Sequence, residues 1–157
     1  MAGYAILWDL DQCIADWSHR LPLREAGNWT DFYAEIPNDP TLPGAVLWNL
    51  LANQARMLEQ AVIQKALNID YPVLDVLTCR PERMREATVK WFEDNGLLQP
   101  RVMHMRRDDD IRPPQEIKVE MWRKHYEGVE EVLALFEDNA DTIEAFREIG
   151  ITCYHVR

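Results

Sequence analysis

The sequence predicts an α/β protein built on a doubly wound, Rossmann-like parallel sheet. Short apolar runs bounded by turn residues recur along the 157 residues. Segments with helical spacing of apolar side chains separate them, so strand and helix alternate throughout. Several of the runs also end in acids or a hydroxyl. In such a sheet the chemistry sits past the carboxyl ends of the strands.

Tyr4-Ala5-Ile6-Leu7-Trp8 is an apolar run ending in acids, which reads as a buried parallel strand. From Trp17 to Pro43 the chain is mixed and polar, with Pro22, Pro37, Pro40 and Gly27. This stretch reads as loops around one short helix near Thr30–Glu35, with Thr30 or Asp31 as its N-cap. Gly44 to Leu67 has helical spacing in Val46, Leu47, Leu50, Leu51, Leu58 and Val62. Val73 to Thr78 is a second strand. Pro81 to Asn95 is a helix with Pro in its first turn and Gly96 as its stop. Val102 to Met105 is a short third strand, and Pro114 to His125 a further helix. Val132 to Phe136 is a strand that runs into Glu137-Asp138. Asp141 to Glu148 is a helix closed by Gly150, and Ile151 to Val156 a last strand.

The length suits one domain over residues 1–157, with a small insert at roughly 17–41. Hydrophobic residues make up 47% and charged residues 28%, ordinary for a soluble protein. No apolar run is long enough to span a bilayer, so no membrane partner is expected. The first nine residues have no basic segment and reach Asp9, which does not read as a secretory signal. Cys13, Cys79 and Cys153 are odd in number and widely spaced. They suit reduced thiols in a cytoplasmic protein better than a disulfide framework or a zinc site.

The net charge is −10, unevenly spread. Between Cys79 and Lys124 eleven Lys or Arg face nine acids, so the excess of acids lies elsewhere. Either helix surfaces simply alternate in sign, or an acidic protein has a locally positive mouth. Such a mouth would suit a small anion or a strand end.

The strand ends gather Asp9-Leu10-Asp11, Thr78-Cys79-Arg80 and Glu137-Asp138, and Lys118 lies one turn into the helix after the third strand. Two Asp one residue apart can divide labour. Asp9 can attack phosphorus to give an aspartyl-phosphate. Asp11 can protonate the leaving oxygen and then deprotonate water. Paired carboxylates repel and call for a cation. Mg2+ suits carboxylate and phosphate oxygens, with Asp138 completing a site of Asp9 and Asp11 and Glu137 supporting it. Thr78 offers a hydroxyl to a phosphoryl oxygen, and the helix expected at Pro81 would aim N–H groups the same way. Lys118 would balance the negative charge. Each feature alone has a plain structural explanation, such as a turn, a cap or a solvated Lys; their joint order carries the argument.

The four segments resemble the motifs of haloacid dehalogenase (HAD) superfamily phosphatases. The stretches Asp9 to Arg20, Leu77 to Glu82, Met105 to Pro113, and Phe136 to Asn139 through Val156 resemble more closely the phosphatase domain of phage-type polynucleotide kinase-phosphatase. The resemblance implies an HAD-like fold and a phosphoric monoester hydrolase. It also implies that Arg20, Arg80 and Arg112, which match recurring arginines, bind substrate or orient the carboxylates. Gln12-Cys13 stand where the first motif usually continues Gly-Thr, and Cys79 stands where Gly usually follows the motif hydroxyl. The sequence holds no Gly-rich phosphate loop with Lys-Ser or Lys-Thr, so no kinase half is expected in it.

Between Thr78 and Lys118 there is room for one helix, one strand and a loop. A large cap does not fit there, and an open site favours chain-end substrates. The net charge of −10 favours free nucleotides instead. The expected activity is therefore a Mg-dependent phosphomonoesterase on nucleotide or polynucleotide 3'-phosphates. A 5'(3')-nucleotidase and a non-catalytic phosphate-binding module of the same fold remain as alternatives. Trp17, Trp29, Phe32 and Tyr33 are expected to form a small core under the insert rather than to stack on a base. His19 and His104 are expected to be surface or hydrogen-bonded residues, and Cys13 and Cys79 buried thiols.

Overall fold

The structure, a computed structural model, describes residues 3–60 and 71–156. Its strands are β1 (Tyr4–Trp8), β2 (Pro72–Pro81), β3 (Met103–Arg106), β4 (Glu131–Glu137) and β5 (Cys153–His155). All pair in parallel, in the order β3-β2-β1-β4-β5. The chain starts at the centre, moves out through β2 to β3, then crosses back to lay β4 and β5 on the other side. The order reverses at β1, and there a crevice opens beyond the strand ends.

Among the described residues six helices accompany the sheet: α1 (Leu21–Glu25), α2 (Trp29–Ala34), α3 (Pro43–Gln60), α4 (Arg85–Asp94), α5 (Pro114–His125) and α6 (Ala140–Glu148). β1 shows why both faces are covered. Ala5 and Leu7 join one core with Leu77, Tyr126, Leu135 and Phe146. Trp8 joins the other with Trp48 of α3 and Trp91 and Phe92 of α4. Trp8, Trp48 and Trp91 are fully buried. Trp8 meets Trp48 edge-on at 5.9 Å, and Trp48 meets Phe92 at 5.8 Å. The indole N–H of Trp48 donates to the Leu98 carbonyl at 2.8 Å, and that of Trp91 to the Asp39 carbonyl at 2.7 Å, so two large apolar bodies are buried with their polar tips satisfied.

Most expected elements are present, and α5 has the expected bounds. The differences have local causes. β2 continues through Thr78 to Pro81, which is extended at φ −68°, ψ 149°. A 3-10 turn over Glu82–Met84 follows, and the α-helix starts only at Arg85. The expected helix start at Pro81 is therefore wrong, and with it the idea that this N-terminus sits next to Thr78. In the insert, α2 is capped by Asn28, whose side chain accepts from the Asp31 N–H, rather than by Thr30 or Asp31. A second short helix, α1, and two 3-10 turns also stand there, where only one helix was expected. The expected helix Gly44–Leu67 matches α3 as far as Gln60, and its remainder lies outside the described residues. Among the described residues no helix is long and apolar enough to cross a membrane.

The start of α3 is pressed onto the loop after β1. Leu42 donates its N–H to the Ile14 carbonyl at 2.8 Å. A Cβ on Gly44 would lie 1.9 Å from the Cys13 carbonyl oxygen. Gly44→Ala should therefore lower stability by roughly 1–3 kcal/mol, as overpacking does. Urea denaturation reads this directly; an unchanged midpoint would show that helix and loop separate without cost.

Candidate active site

β1 and β4 run side by side, with Trp8 opposite Phe136, and the Asp9 N–H extends the pairing to the Phe136 carbonyl at 2.8 Å. This register delivers Asp9, Glu137 and Asp138 to one spot. The chain then turns tightly, with the Ile14 and Ala15 N–H groups both donating to the Leu10 carbonyl. Gln12 takes φ +63° within that turn, the left-handed region where Gly is at ease. A cavity of about 320 Å³ opens over the turn, lined by Asp9, Asp11, Arg80, Lys118, Glu137 and Asp138 among others.

Lys118 is buried and joins two strand ends. Its Nζ lies 2.7 Å from Asp9 Oδ1 and 2.6 Å from Glu137 Oε2. Burial works against its charge, but Asp9 and Glu137 outweigh it and hold the ammonium well above its usual pKa. Burial pushes the Asp9 carboxyl up to about 7, Glu137 adds to the rise, and Lys118 opposes it. Burial and then Asp9 raise Asp138 to about 6. Glu137 is also raised, chiefly by burial, and its other oxygen accepts the Asn139 N–H at 3.1 Å. Three buried or half-buried carboxylates thus meet one ammonium, and negative charge is left over.

Ligand atoms of Asp9, Asp138 and Cys13 lie within 4.8 Å of one another. The side chain of Asp11 is not in this group, contrary to expectation, because Arg80 holds it. Arg80 donates through Nε at 3.0 Å and Nη2 at 2.7 Å to Asp11 Oδ1, a fork that fixes the carboxylate in plane. The Cys13 thiol is buried, and burial pushes its pKa far up. A neutral, soft sulfur is a poor partner for a hard cation.

Arg80 and Arg20 are both buried and share Asp39. Its Oδ2 accepts from Arg20 Nη2 at 2.7 Å and from Arg80 Nη2 at 2.9 Å. Arg20 also donates to the Phe32 carbonyl at 3.0 Å and lies over the Phe32 ring, while its nearest approach to Asp11 is 3.7 Å. Asp39 was not anticipated: Asn38-Asp39-Pro40 reads as a turn, and no local signal marks a buried acid. Burial pushes it up to about 6, against the pull of Arg80 and Arg20.

Thr78 is buried, and its Oγ1 accepts the Arg80 N–H at 3.2 Å; its neighbour Cys79 reaches the cavity wall. Arg112 is not brought to this cavity. It forks onto Asp110 and reaches Glu120 at 2.5 Å on the surface. Arg106 lines the cavity instead, donating to the Cys79 carbonyl at 2.9 Å and the Tyr33 hydroxyl at 3.3 Å. It falls within the same Met105–Pro113 stretch as Arg112, which lines a neighbouring cavity. The small core expected under the insert is present, with Trp17, Trp29 and Tyr33 packed on the buried Phe32 ring at 5.9, 5.5 and 5.2 Å. Trp17, Trp29 and Tyr33 line the cavity, and Trp29 is 48% exposed. His104 is hydrogen-bonded to the Tyr126 hydroxyl at 3.0 Å, as expected. Cys13, Cys79 and Cys153 are free thiols.

A doubly wound parallel sheet with paired acids and a Lys at its switch point defines a haloacid-dehalogenase-type phosphatase. Residues 51–157 match the family described as polynucleotide kinase PNKP phosphatase domain, and the chain belongs to that family. The matched span includes Thr78, Lys118, Glu137 and Asp138. No curated protein sequence matches the chain. Among solved structures, a chain of the Pnkp1/Rnl/Hen1 RNA repair complex is 19% identical, with a TM-score of 0.72, covering 99% of this chain and 42% of that one. A second structure of the Pnkp1/Rnl/Hen1 complex gives 18%, 0.74, 99% and 45%. The class C acid phosphatase from Bacillus anthracis with tungstate bound gives 16%, 0.57, 99% and 67%. At these identities the likeness concerns the fold, and this chain spans less than half of the Pnkp1-complex chains it matches.

Removing the Asp39 charge leaves two buried guanidiniums to share one carboxylate. Asp39→Asn should cost about 3–5 kcal/mol, the usual penalty for breaking a buried charge pair from one side. Urea unfolding with an unchanged denaturant slope would show it. A loss below about 1 kcal/mol would mean that Arg20 and Arg80 are solvated well enough without it.

Proposed function

We propose that residues 1–157 form one phosphatase domain, with an insert at 17–41. It hydrolyses nucleotide or polynucleotide 3'-phosphates with Mg2+ through a phosphoryl group carried on Asp9. The observation that carries this reading is the single cavity in which Lys118 bridges Asp9 and Glu137 while Arg80 presents Asp11. The family match supports a polynucleotide substrate, since its description names a polynucleotide kinase.

In this mechanism a carboxylate oxygen of Asp9 attacks phosphorus, and the bond from phosphorus to the 3'-oxygen breaks. Asp11, held in plane by Arg80, gives its proton to the departing oxygen. It then takes a proton from a water that attacks the aspartyl-phosphate, which releases inorganic phosphate and restores Asp9. Lys118 favours the ionised form of Asp9 against its burial and offsets charge on the transferring group. Arg106, on the cavity wall, offers a guanidinium to phosphoryl oxygens, while the buried Thr78 hydroxyl steadies the Arg80 backbone instead.

Asp9 and Asp138 suit a hard divalent cation: both are carboxylates, both have pKa values raised by burial, and they lie together with surplus negative charge around them. Cys13 does not suit it. Bound there, Mg2+ would neutralise charge on the phosphoryl group.

Asp9→Asn should abolish phosphate release while leaving the fold intact by circular dichroism. Activity within about tenfold of the parent, a loss of only ~1.4 kcal/mol, would remove Asp9 as nucleophile. The parent should release phosphate from a 3'-phosphorylated oligonucleotide with Mg2+, but not in chelator, and Ca2+ should replace Mg2+ poorly. Faster turnover of 5'-nucleoside monophosphates than of 3'-phosphates would instead identify a nucleotidase.

A further inference from the structure

The catalytic cavity does not end at its charged groups. Past Cys79 and Arg106 it meets a second cavity of about 490 Å³. The two share Trp29, Tyr33, Cys79, Arg106 and Pro114 as walls, so they form one continuous groove. One side of the groove is aromatic. Trp29 is 48% exposed, and its ring stacks toward Tyr33 with centroids 6.2 Å apart and planes at 29°. Beside it stand three guanidiniums, those of Arg83, Arg106 and Arg112, with Asp108 and Asp110 among them. The Arg83 guanidinium lies 5.1 Å from the centre of the Tyr33 ring, and Arg106 donates to the Tyr33 hydroxyl. Arg83 also faces Asp108 at 3.4 Å, with both side chains nearly half exposed. An exposed pair of this kind is worth little and gives way readily to a phosphate.

We propose that the second cavity is a subsite for the nucleotide that precedes the phosphorylated 3' end of a single strand. Its base stacks on Trp29, and the phosphodiester that links it to the terminal nucleotide meets Arg83 and Arg106. This rests on the reading of the first cavity as a 3'-phosphatase site. A free mononucleotide would leave the second cavity unused. A paired base offers no free face to Trp29, so the groove selects single strands. Aromatic faces interleaved with guanidiniums serve such a strand because every nucleotide presents one flat ring and one negative charge. The subsite stacks bases rather than reading their edges, so it has little preference for sequence.

The test uses the Asp9→Asn protein, which should bind without turnover. Calorimetry measures its affinity for 3'-phosphorylated thymidylates of one, two, three and six nucleotides. Affinity should rise by about tenfold between one and three nucleotides and then level off. Adding Trp29→Ala or Arg83→Glu should remove most of that rise, while Arg83→Lys should keep part of it. A blunt duplex carrying the same 3'-phosphate should bind no better than the mononucleotide. Equal affinity at all lengths, or a rise that survives both Trp29→Ala and Arg83→Glu, would overturn the subsite. The reading of the first cavity is checked separately, by phosphate release from thymidine 3'-monophosphate by the parent protein. Turnover without a length effect would sink the subsite alone. A length effect lost in the variants would support the subsite, and absence of turnover would then count against the phosphatase reading only.

Discussion

The buried ammonium of Lys118 is the contact on which the site depends. It ties the end of β1 to the end of β4 from a third element, α5. Without it Asp9 and Glu137 would face each other as buried like charges, an arrangement the interior does not tolerate. The surrounding geometry serves this contact. The register of β1 on β4 fixes the distance between the two acids. Pro114 opens α5 so that the fifth residue of the helix lies over the switch point. Lys118 does not cancel all of the negative charge gathered at these strand ends.

A second set of charges stands beside the first without merging with it. Asp39, Arg20, Arg80 and Asp11 form a run of two guanidiniums and two carboxylates that is close to neutral as a unit. Three of these four side chains are buried, while that of Asp11 is 26% exposed. Asp9 and Asp11 are only two residues apart, yet one is held by a lysine in the interior and the other by a fork of arginine at the edge of solvent. Such a difference in surroundings is how neighbouring carboxylates come to behave differently. The insert takes part in this chemistry, since it supplies Asp39 from within and the aromatic wall from without.

Much of this was legible in the sequence because it depends on local pattern. Strand runs, the fold class and the spacing of Asp9, Asp11, Lys118 and Asp138 are written in short windows. The bounds of α5 were legible for the same reason, with Pro at its start and basic residues at its end. What stayed hidden depends on distance in the chain. Asp39 matters because residues 19 and 41 positions away fold onto it. Arg106 was not singled out beside Arg112, because its turn toward the cavity is decided by contacts with Cys79 and Tyr33 rather than by the Arg-rich stretch. The extension of β2 to Pro81 follows from its register shift against β3, which no periodicity announces. Gln12 shows the reverse case. Its odd identity in the motif was visible, and the structure gives the reason it is unusual, a left-handed backbone.

The central position of β1 bears on how the protein is made. β1 precedes both of its sheet neighbours in the sequence and must wait for them. β2 arrives some seventy residues later, but β4 is synthesised only at Glu131–Glu137. Until then an apolar edge of β1 is open, and Asp9 has no Glu137 beside it and no settled place for Lys118. Until β4 emerges, the nascent chain therefore exposes an unpaired apolar strand edge. Adding β4 covers that edge and brings Glu137 to Asp9 in one step, so the centre of the sheet and the site are assembled together.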